Sequence, residues 1–502
     1  MTRRAALGID LGTSSVKVVV LDVDTGQVLG QAGAAYPVHR PHPGWAETDP
    51  QEWWAAVRQA AAWARAAAGE PQITGIGLSG QMHGVVLVTA AGEPVRPAIL
   101  WADARAGDEL DVYRGLEPAL RSRLANPLSP GMAGPILGWL HRHEPATVAA
   151  ASAAIAPKDW IRARLTGAVA AEASDASATL LYDVLEEDWS APTAAALGIR
   201  AELLAPIHPN SLAHAGELRA DAAADLVLPQ GIPVAAGAAD TAAALLGSGL
   251  TEVGAVQLTI GTGVQIVTPV AAPTPETVAA LGDPVSHLYR AAGPGDWYAM
   301  AAGLTGGQTL AWVIGVLGVD WAQLYAAAGR EPAADDPVFL PHLVGERTPY
   351  LDTSMRGAWT GLDARHDREA LLYAALEGVA FAAADGLDAL PGIPPSGREL
   401  RIAGGGTTDP RFRQLLADAL DAQLAAVEVP SASGRGAALT GLAVATGARS
   451  VADLGGGGAV EPVAQPGAHR ELLAARRRTY RVRLAALRAH PSGESSGRAA
   501  SA

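Results

Sequence analysis

The strongest constraint on this chain is a pattern that occurs twice: an apolar strand, a Gly-Thr turn and a second apolar strand. Ala6 to Ile9 runs into Asp10-Leu11-Gly12-Thr13-Ser14-Ser15, and Val16 to Leu21 follows. Past the middle, Ala255 to Ile260 runs into Gly261-Thr262-Gly263, and Val264 to Val267 follows. Recurrence at the head of each half predicts a duplicated, two-domain α/β fold. A chain of 502 residues is too long for one ordinary core, which agrees. The boundary is placed near residue 249, giving domains over 1–248 and 249–488. Residues 489–502, rich in Pro, Ser, Gly and Ala, read as a disordered tail.

Between these landmarks strands and helices alternate. Asp24-Thr25-Gly26 marks a turn and Gln27 to Ala35 a third strand. Asp49-Pro50-Gln51-Glu52 opens a helix, with Asp49 as cap, Pro50 at the first position and Glu52 completing a capping box. Ile73 to Leu78 is a buried strand that ends in Ser79-Gly80-Gln81-Met82-His83-Gly84. The last helix is predicted over Arg470 to Arg488.

Composition narrows the function. Hydrophobic residues make up 49% and charged residues 18%, which favours a globular fold. A net charge of −14 argues against a broad nucleic-acid surface. With no cysteine, disulfides, thiolate metal sites and cysteine nucleophiles are excluded. No signal-type apolar region follows Arg3 and Arg4, and no uninterrupted apolar run of spanning length is read, so a cytoplasmic protein without membrane contact is expected. Lys17 and Lys158 are the only lysines, which makes each worth examining.

Several motifs have chemical potential. A tight turn between strands aims backbone N–H groups one way and adds hydroxyl donors, a nest suited to phosphate oxygens. Gly12 and Gly261 allow close approach; Thr13, Ser14 and Thr262 donate. Either turn alone reads as an ordinary hairpin. Gly404-Gly405-Gly406 follows the strand Leu400 to Ala403 and precedes a helix opened by Asp409-Pro410. Such a turn lets backbone lie against adenine or ribose, or is a tight loop needing positive φ. Neither a Walker loop nor a dinucleotide fingerprint is present. Asp240, in Ala236-Gly237-Ala238-Ala239-Asp240-Thr241, is a lone carboxylate delivered into a small-residue loop. It suits proton acceptance from an alcohol, as phosphoryl transfer needs; in isolation the safer reading is a cap for a helix over Thr241 to Leu246. Asp10 ends the first strand at the phosphate turn, where a carboxylate suits Mg²⁺, or simply closes a turn. His83 suits sugar hydroxyls; Trp101 offers a stacking face and Asp103 a hydroxyl acceptor. Their bland readings are a structural histidine and a buried tryptophan beside a surface ion pair.

These residues resemble the FGGY carbohydrate kinases. Gly8-Ile9-Asp10-Leu11-Gly12-Thr13-Ser14-Ser15-Val16-Lys17 is similar to the family's opening. Ser79 to Gly84, Arg96 to Trp101, Glu47-Thr48-Asp49-Pro50 with Trp53-Trp54, and Leu340-Pro341 through Gly345-Glu346-Arg347-Thr348-Pro349 resemble its xylulokinase branch. The resemblance runs from about residue 6 to about residue 445. It implies two duplicated ribonuclease-H-like domains of the actin/hexokinase/Hsp70 type, sugar-binding first and nucleotide-binding second, with the active site in the cleft. It implies ATP and Mg²⁺, with Asp240 as the base and Asp10 at the metal and phosphate. It implies Met82 and His83 at the sugar, joined by Trp101, Asp103 and Thr241. Nucleotide contacts are implied at Thr13, Lys17, Thr262, Gly307, Gly405 and Gly406, beside Gly12, Ser14 and Gly261. The implied partners are a small sugar and ATP, with a homodimer as a family-level expectation.

The expected reaction is transfer from ATP to D-xylulose, giving D-xylulose 5-phosphate. Thr241 stands where the family usually has Asn, Ile136 where it has Lys after Pro135, Ala370 where a polar residue is usual, and Gly263 where Ser is usual. The alternatives are a kinase of this architecture for ribulose, gluconate, a polyol or a tetritol, and a sugar- or ATP-binding protein without catalysis.

Overall fold

The computed structural model describes residues 3–394, 397–454, 457–458 and 460–489. The tail predicted over 489–502 lies outside them, apart from Ala489, which ends the last helix.

The elements that position the site follow in chain order. Strands β1 (Arg4–Leu11), β2 (Ser15–Asp22) and β3 (Val28–Ala35) lead to helix α1 (Pro50–Ala67) and strand β4 (Gln72–Gly80). Helix α2 (Pro157–Thr166), strands β5 (His214–Glu217), β6 (Pro233–Ala235) and β7 (Ala238–Ala239), and helix α3 (Asp240–Ser248) come next. The second half holds β8 (Val256–Ile260), β9 (Val264–Val270), β10 (His287–Arg290), β11 (Trp297–Gly303), α4 (Gly307–Leu317) and α5 (Arg368–Asp388). It closes with β12 (Arg398–Ala403), α6 (Pro410–Leu420), β13 (Ala422–Val427), α7 (Ala432–Thr446), β14 (Val460–Ala464) and α8 (Arg470–Ala489).

The first sheet has the order β5-β6-β4-β1-β2-β3, with β7 also pairing with β4. The second has the order β14-β13-β12-β8-β9-β11-β10. Aligned on the two strands that flank each Gly-Thr turn, β3-β2-β1-β4-β6-β5 matches β11-β9-β8-β12-β13-β14, and the second sheet adds β10 at its edge. In both, the strand before the Gly-Thr turn pairs antiparallel with the one after it and parallel with the strand on its other side. The duplication expected from the two turns is therefore present in the topology.

Two compact units emerge, and they interleave in sequence. One comprises 1–253, 269–298 and 429–459; the other comprises 254–268, 299–428 and 460–502. A single cut at 248/249 follows the first departure of the chain but misses two later returns. The second return has a packing reason. Helix α7 lies on β1, β2 and β4, backbone close to backbone. A β-carbon at Gly77 would fall 1.9 Å from the Ala437 carbonyl oxygen, so only glycine fits there.

Local signals explain most helix starts. Asp49 caps α1 by accepting from the Gln51 N–H at 2.9 Å, with Pro50 in the first turn. Glu52 does not complete the expected capping box; its carboxylate lies 3.2 Å from His39 Nε2. The inward face of α1 buries Trp53, Trp54, Val57 and Ala60 against the first sheet. Asp409 caps α6 as expected. Helix α5 is the one described helix long and apolar enough to cross a membrane, yet 89% of that stretch is buried within the protein. Its Glu377 pairs with Arg476 of α8 at 2.6 Å, both buried.

Candidate active site

Parallel strands open their carboxyl ends to ligands, because side chains and backbone donors there are not consumed by the ladder. In the first unit three such ends lie in register. Asp10 of β1 pairs with Ser79 of β4, and Ser79 with Ala238 of β7; one step on, Leu11 pairs with Gly80 and Gly80 with Ala239. The next residues along the three strands are Gly12, Gln81 and Asp240. The phosphate turn, the Gln-Met-His segment and the lone carboxylate, up to 230 positions apart in sequence, thus leave one edge of one sheet side by side.

Asp240 is the first residue of α3, with Ala239 at the cap position, and its carboxylate draws on the first-turn N–H of Thr241 as well as on its hydroxyl. Burial, with the negative charge of Asp10 behind it, lifts the half-buried Asp240 carboxyl to about 6. The Thr241 hydroxyl, donating to Oδ1 at 3.2 Å, pulls the other way. Asp10 is also raised by burial, opposed by a 2.6 Å hydrogen bond from the Ser433 hydroxyl and by the charge of Lys17. Lys17 faces Asp10 directly across the β1–β2 hairpin.

His83 sits at the centre of a three-residue turn, closed by the Gly84 N–H donating to the Met82 carbonyl at 2.9 Å. Its φ is +71°, the rare and strained hand of the γ-turn, held by a non-glycine residue. The ring is fixed by Nδ1 donating to the Ala178 carbonyl at 2.7 Å, which leaves Nε2 as the unprotonated nitrogen of the neutral ring. Met82 is buried, and the hydroxyl of Tyr298 lies 4.0 Å from its sulfur.

Trp101 and Asp103 part company. Trp101 is 37% exposed, and its Nε1–H donates to the Thr13 hydroxyl at 2.9 Å, tying it to the phosphate turn. Asp103 is buried and occupied: it accepts from the Ala46 N–H at 2.7 Å and from three Arg105 donors at 2.7–2.9 Å. A carboxylate so filled cannot also receive a sugar hydroxyl, so Asp103 is removed from the sugar-binding set. The bland reading had the burial reversed: the tryptophan is exposed and the ion pair buried.

Gly12 keeps its place in the turn through its N–H to the Ser15 carbonyl at 3.0 Å, and its own carbonyl accepts from the Tyr36 hydroxyl. Ser14 is exposed beside it. Ile136 is fully buried in an apolar cluster, so its replacement of the usual lysine is a core matter.

In the second unit β8 and β12 run parallel and end together, Thr259 opposite Ala403. Their ends deliver Gly261-Thr262-Gly263 and Gly404-Gly405-Gly406 side by side. The N–H of Gly307, first residue of α4, donates to the Gly261 carbonyl at 2.8 Å, and that of Gln308 to the Thr262 carbonyl at 3.0 Å. Gly404 has φ +90°, and a β-carbon there would meet the Ile260 carbonyl oxygen at 2.5 Å; Gly405 opens onto free space.

Three residues that touch these positions escaped sequence reasoning: Tyr298 beside Met82, Tyr36 on the Gly12 carbonyl and Ser433 on Asp10. Each sits in an apolar or small-residue stretch without a local signal, and only the fold brings it to the site.

Residues 5–247 match the N-terminal domain, and residues 257–445 the C-terminal domain, of the FGGY family of carbohydrate kinases. The chain is 34% identical over 421 residues to a xylulose kinase of Escherichia coli (strain K12), covering 83% of this chain and 85% of that one. It is 32% identical over 452 residues to a glycerol kinase of Alkalilimnicola ehrlichii, covering 87% and 89%. The crystal structure of a xyloylose (xylulose) kinase from Brucella ovis is similar throughout, with a TM-score of 0.87, 35% identity, and 97% and 99% of the two chains covered.

Proposed function

Because the chain belongs to the FGGY family of carbohydrate kinases, we propose that it transfers the γ-phosphoryl group of ATP to a hydroxyl of D-xylulose, with Asp240 as the base. One observation supports this most. Asp240 stands at the carboxyl edge of the sheet, in register with the Asp10 turn and the Met82-His83 segment, with its carboxyl lifted to about 6. A base poised there is ionised at neutral pH and still basic enough to draw a proton from an alcohol as its oxygen attacks.

In the step proposed, the substrate O–H proton passes to Asp240 while the oxygen bonds to the γ-phosphorus. The bond from phosphorus to the β–γ bridging oxygen breaks, ADP leaves, and Asp240 returns its proton to water. His83, locked by Ala178, is assigned to the sugar hydroxyls, Met82 to the apolar wall and Trp101 to the carbon face. Gly12, Thr13, Ser14, Lys17, Gly261, Thr262, Gly307, Gly405 and Gly406 are assigned to the nucleotide. Asp10, a buried carboxylate at the end of β1 just before the Gly-Thr turn, has the donor chemistry for Mg²⁺, which is commonly held by one or two carboxylates with phosphate oxygens and water. When bound, it neutralises charge on the phosphates.

Thr241 supports a second reading, a kinase of the same mechanism for another sugar or polyol. Its hydroxyl points to Asp240, where a longer amide would reach further toward a substrate. The relative named glycerol kinase has similar coverage. A panel of pentuloses, gluconate, glycerol and tetritols in a coupled ADP-release assay decides between them. D-xylulose is expected to lead in kcat/KM; a tenfold advantage for another acceptor overturns the assignment of the sugar. Asp240→Ala is expected to lower kcat about 10²–10⁴-fold with ATP binding retained. Wild-type turnover in that variant would remove the base.

A further inference from the structure

The segment that presents Asp240 is Ala236-Gly237-Ala238-Ala239, and it has no side chain large enough to wedge it in place. Its main-chain groups are instead gripped by buried polar side chains and backbone. The Ala236 carbonyl accepts from Arg162 Nη1 at 2.8 Å. The Gly237 N–H donates to the Ser211 carbonyl at 3.1 Å. The Ala239 N–H, one residue before the base, donates to the Ser174 hydroxyl oxygen at 2.8 Å.

Ser174 is itself oriented. Its O–H donates to Glu172 Oε2 at 2.6 Å, which aims a lone pair at Ala239. Glu172 Oε1 accepts from the Ser211 hydroxyl at 2.9 Å. Behind Glu172 stands Lys158, one of the two lysines, with Nζ 3.6 Å from Glu172, 2.7 Å from Asp159 and 3.2 Å from Asp175. Arg162 closes the group at 2.8 Å from Asp159. These five charged residues and Ser174 are essentially without solvent exposure. Burying so much charge rarely adds stability over an apolar core of the same volume. What it supplies here is directional bonding to a loop that cannot lock itself.

We propose that Ser174, oriented by Glu172, is a positioning residue for Asp240. It holds the Ala239 N–H and thereby sets where the carboxylate enters the site. The inference rests on the reading of Asp240 as the base, and it concerns geometry alone: Ser174 touches neither substrate nor the reacting atoms.

The test compares Ser174→Ala and Glu172→Gln with wild type and with Ser190→Ala. The last removes a buried hydroxyl that, among the described residues, bonds Thr193 at 2.8 Å. Full-length chains are used, with ATP and the best sugar of the panel. For both test variants kcat is expected to fall about tenfold to a hundredfold, as small misplacements of catalytic groups do, with both KM values within about twofold of wild type. Amide hydrogen exchange of a peptide covering 236–242 is expected to quicken in Ser174→Ala and not in Ser190→Ala. If kcat stays within about twofold of wild type, or falls only in step with melting temperature as in Ser190→Ala, the proposal is wrong. If Ser174→Ala does not fold, Glu172→Gln, which closely preserves the side chain's volume, decides by the same criteria. The Asp240→Ala result separates the two readings. An inactive Asp240→Ala beside an unimpaired Ser174→Ala removes only the positioning role. An active Asp240→Ala removes the base and this inference with it.

Discussion

Asp10 accepts a 2.6 Å hydrogen bond from the hydroxyl of Ser433, a residue 423 positions later in the chain. The bond steadies a buried carboxylate that burial would otherwise push further toward its neutral form. It also places a negative charge behind Asp240, and that charge is one of the two causes lifting Asp240 to about 6.

The first prediction concerns pH. The base works only when ionised, so kcat/KM is expected to fall on the acid side with an apparent pKa near 6. Asp10→Asn removes the neighbouring charge and is expected to move this limb to lower pH, whatever it does to the absolute rate. A pH–rate profile of the residual activity checks it; a limb that stays or rises contradicts the electrostatic account.

Asp240 also links pH to stability. Its folded value of about 6 lies above the unfolded value of 3.8, so the stabilising, protonated form is fully present below 3.8 and its benefit is lost as pH rises through 6. Asp240→Asn, a neutral mimic, is expected to melt above wild type at pH 7.5, with the gap closing at pH 4. Melting curves at the two pH values are the measurement. A variant that melts below wild type at pH 7.5 would mean the carboxylate is stabilised by contacts outweighing its burial.

His83, proposed to meet the sugar, holds a left-handed φ of +71° at the centre of its turn. A non-glycine residue in such a turn costs about 1–3 kcal/mol, so His83→Gly is expected to melt higher than His83→Ala. Both are expected to raise sugar KM about tenfold or more while leaving ATP KM near wild type. Thermal melts with both KM values test the pair.

Gly404 and Gly405 are expected to respond in opposite ways. Gly404→Ala meets the Ile260 carbonyl oxygen and an unfavourable φ, so it should lose stability clearly. Gly405→Ala meets nothing within 4 Å, so its melting temperature should hold while ATP KM rises if ligand lies against it. Melts and ATP titrations of the two variants are the check.

Asp103→Ala is expected to destabilise by about 1–3 kcal/mol, because it takes acceptors away from the buried Arg105 and from the Ala46 N–H while Glu47 still pairs with the guanidinium. Sugar KM in the folded fraction should not change. Trp101→Ala should do the reverse, with a small loss of stability and weaker sugar binding. Denaturant titration with steady-state kinetics distinguishes them.

Much of the site was legible before any fold was known, for particular reasons. Both Gly-Thr turns are local: a strand, a tight turn and a strand are written in consecutive residues, and so is the N-cap at Asp409. His83 and Asp240 were visible as polar residues just beyond apolar strands, but taken alone a structural histidine and a helix cap explained them as well or better; the family resemblance raised them to candidates. Asp103 misled because its sequence neighbours hide its surroundings; the Ala46 N–H, more than fifty positions earlier, donates to it, and Glu47 beside Ala46 helps hold the Arg105 that fills the rest. Glu52 misled for a related reason, since a competing histidine from another segment outbid the local cap.

The sequence by itself determined the duplication, the two turns, the lone carboxylate and the family resemblance, because periodicity, turn chemistry and motif spacing are properties of neighbours along the chain. Only the tertiary structure decided that Gly12, Gln81 and Asp240 leave one sheet edge in register, that residues 429–459 return to the first unit, and that Ser174 holds the Ala239 N–H and Ser433 the Asp10 carboxylate. Those relations depend on burial and on hydrogen bonds closed over hundreds of residues. Burial and long-range partners set a side chain's pKa and its freedom to bind, and neither has a signature in the residues beside it.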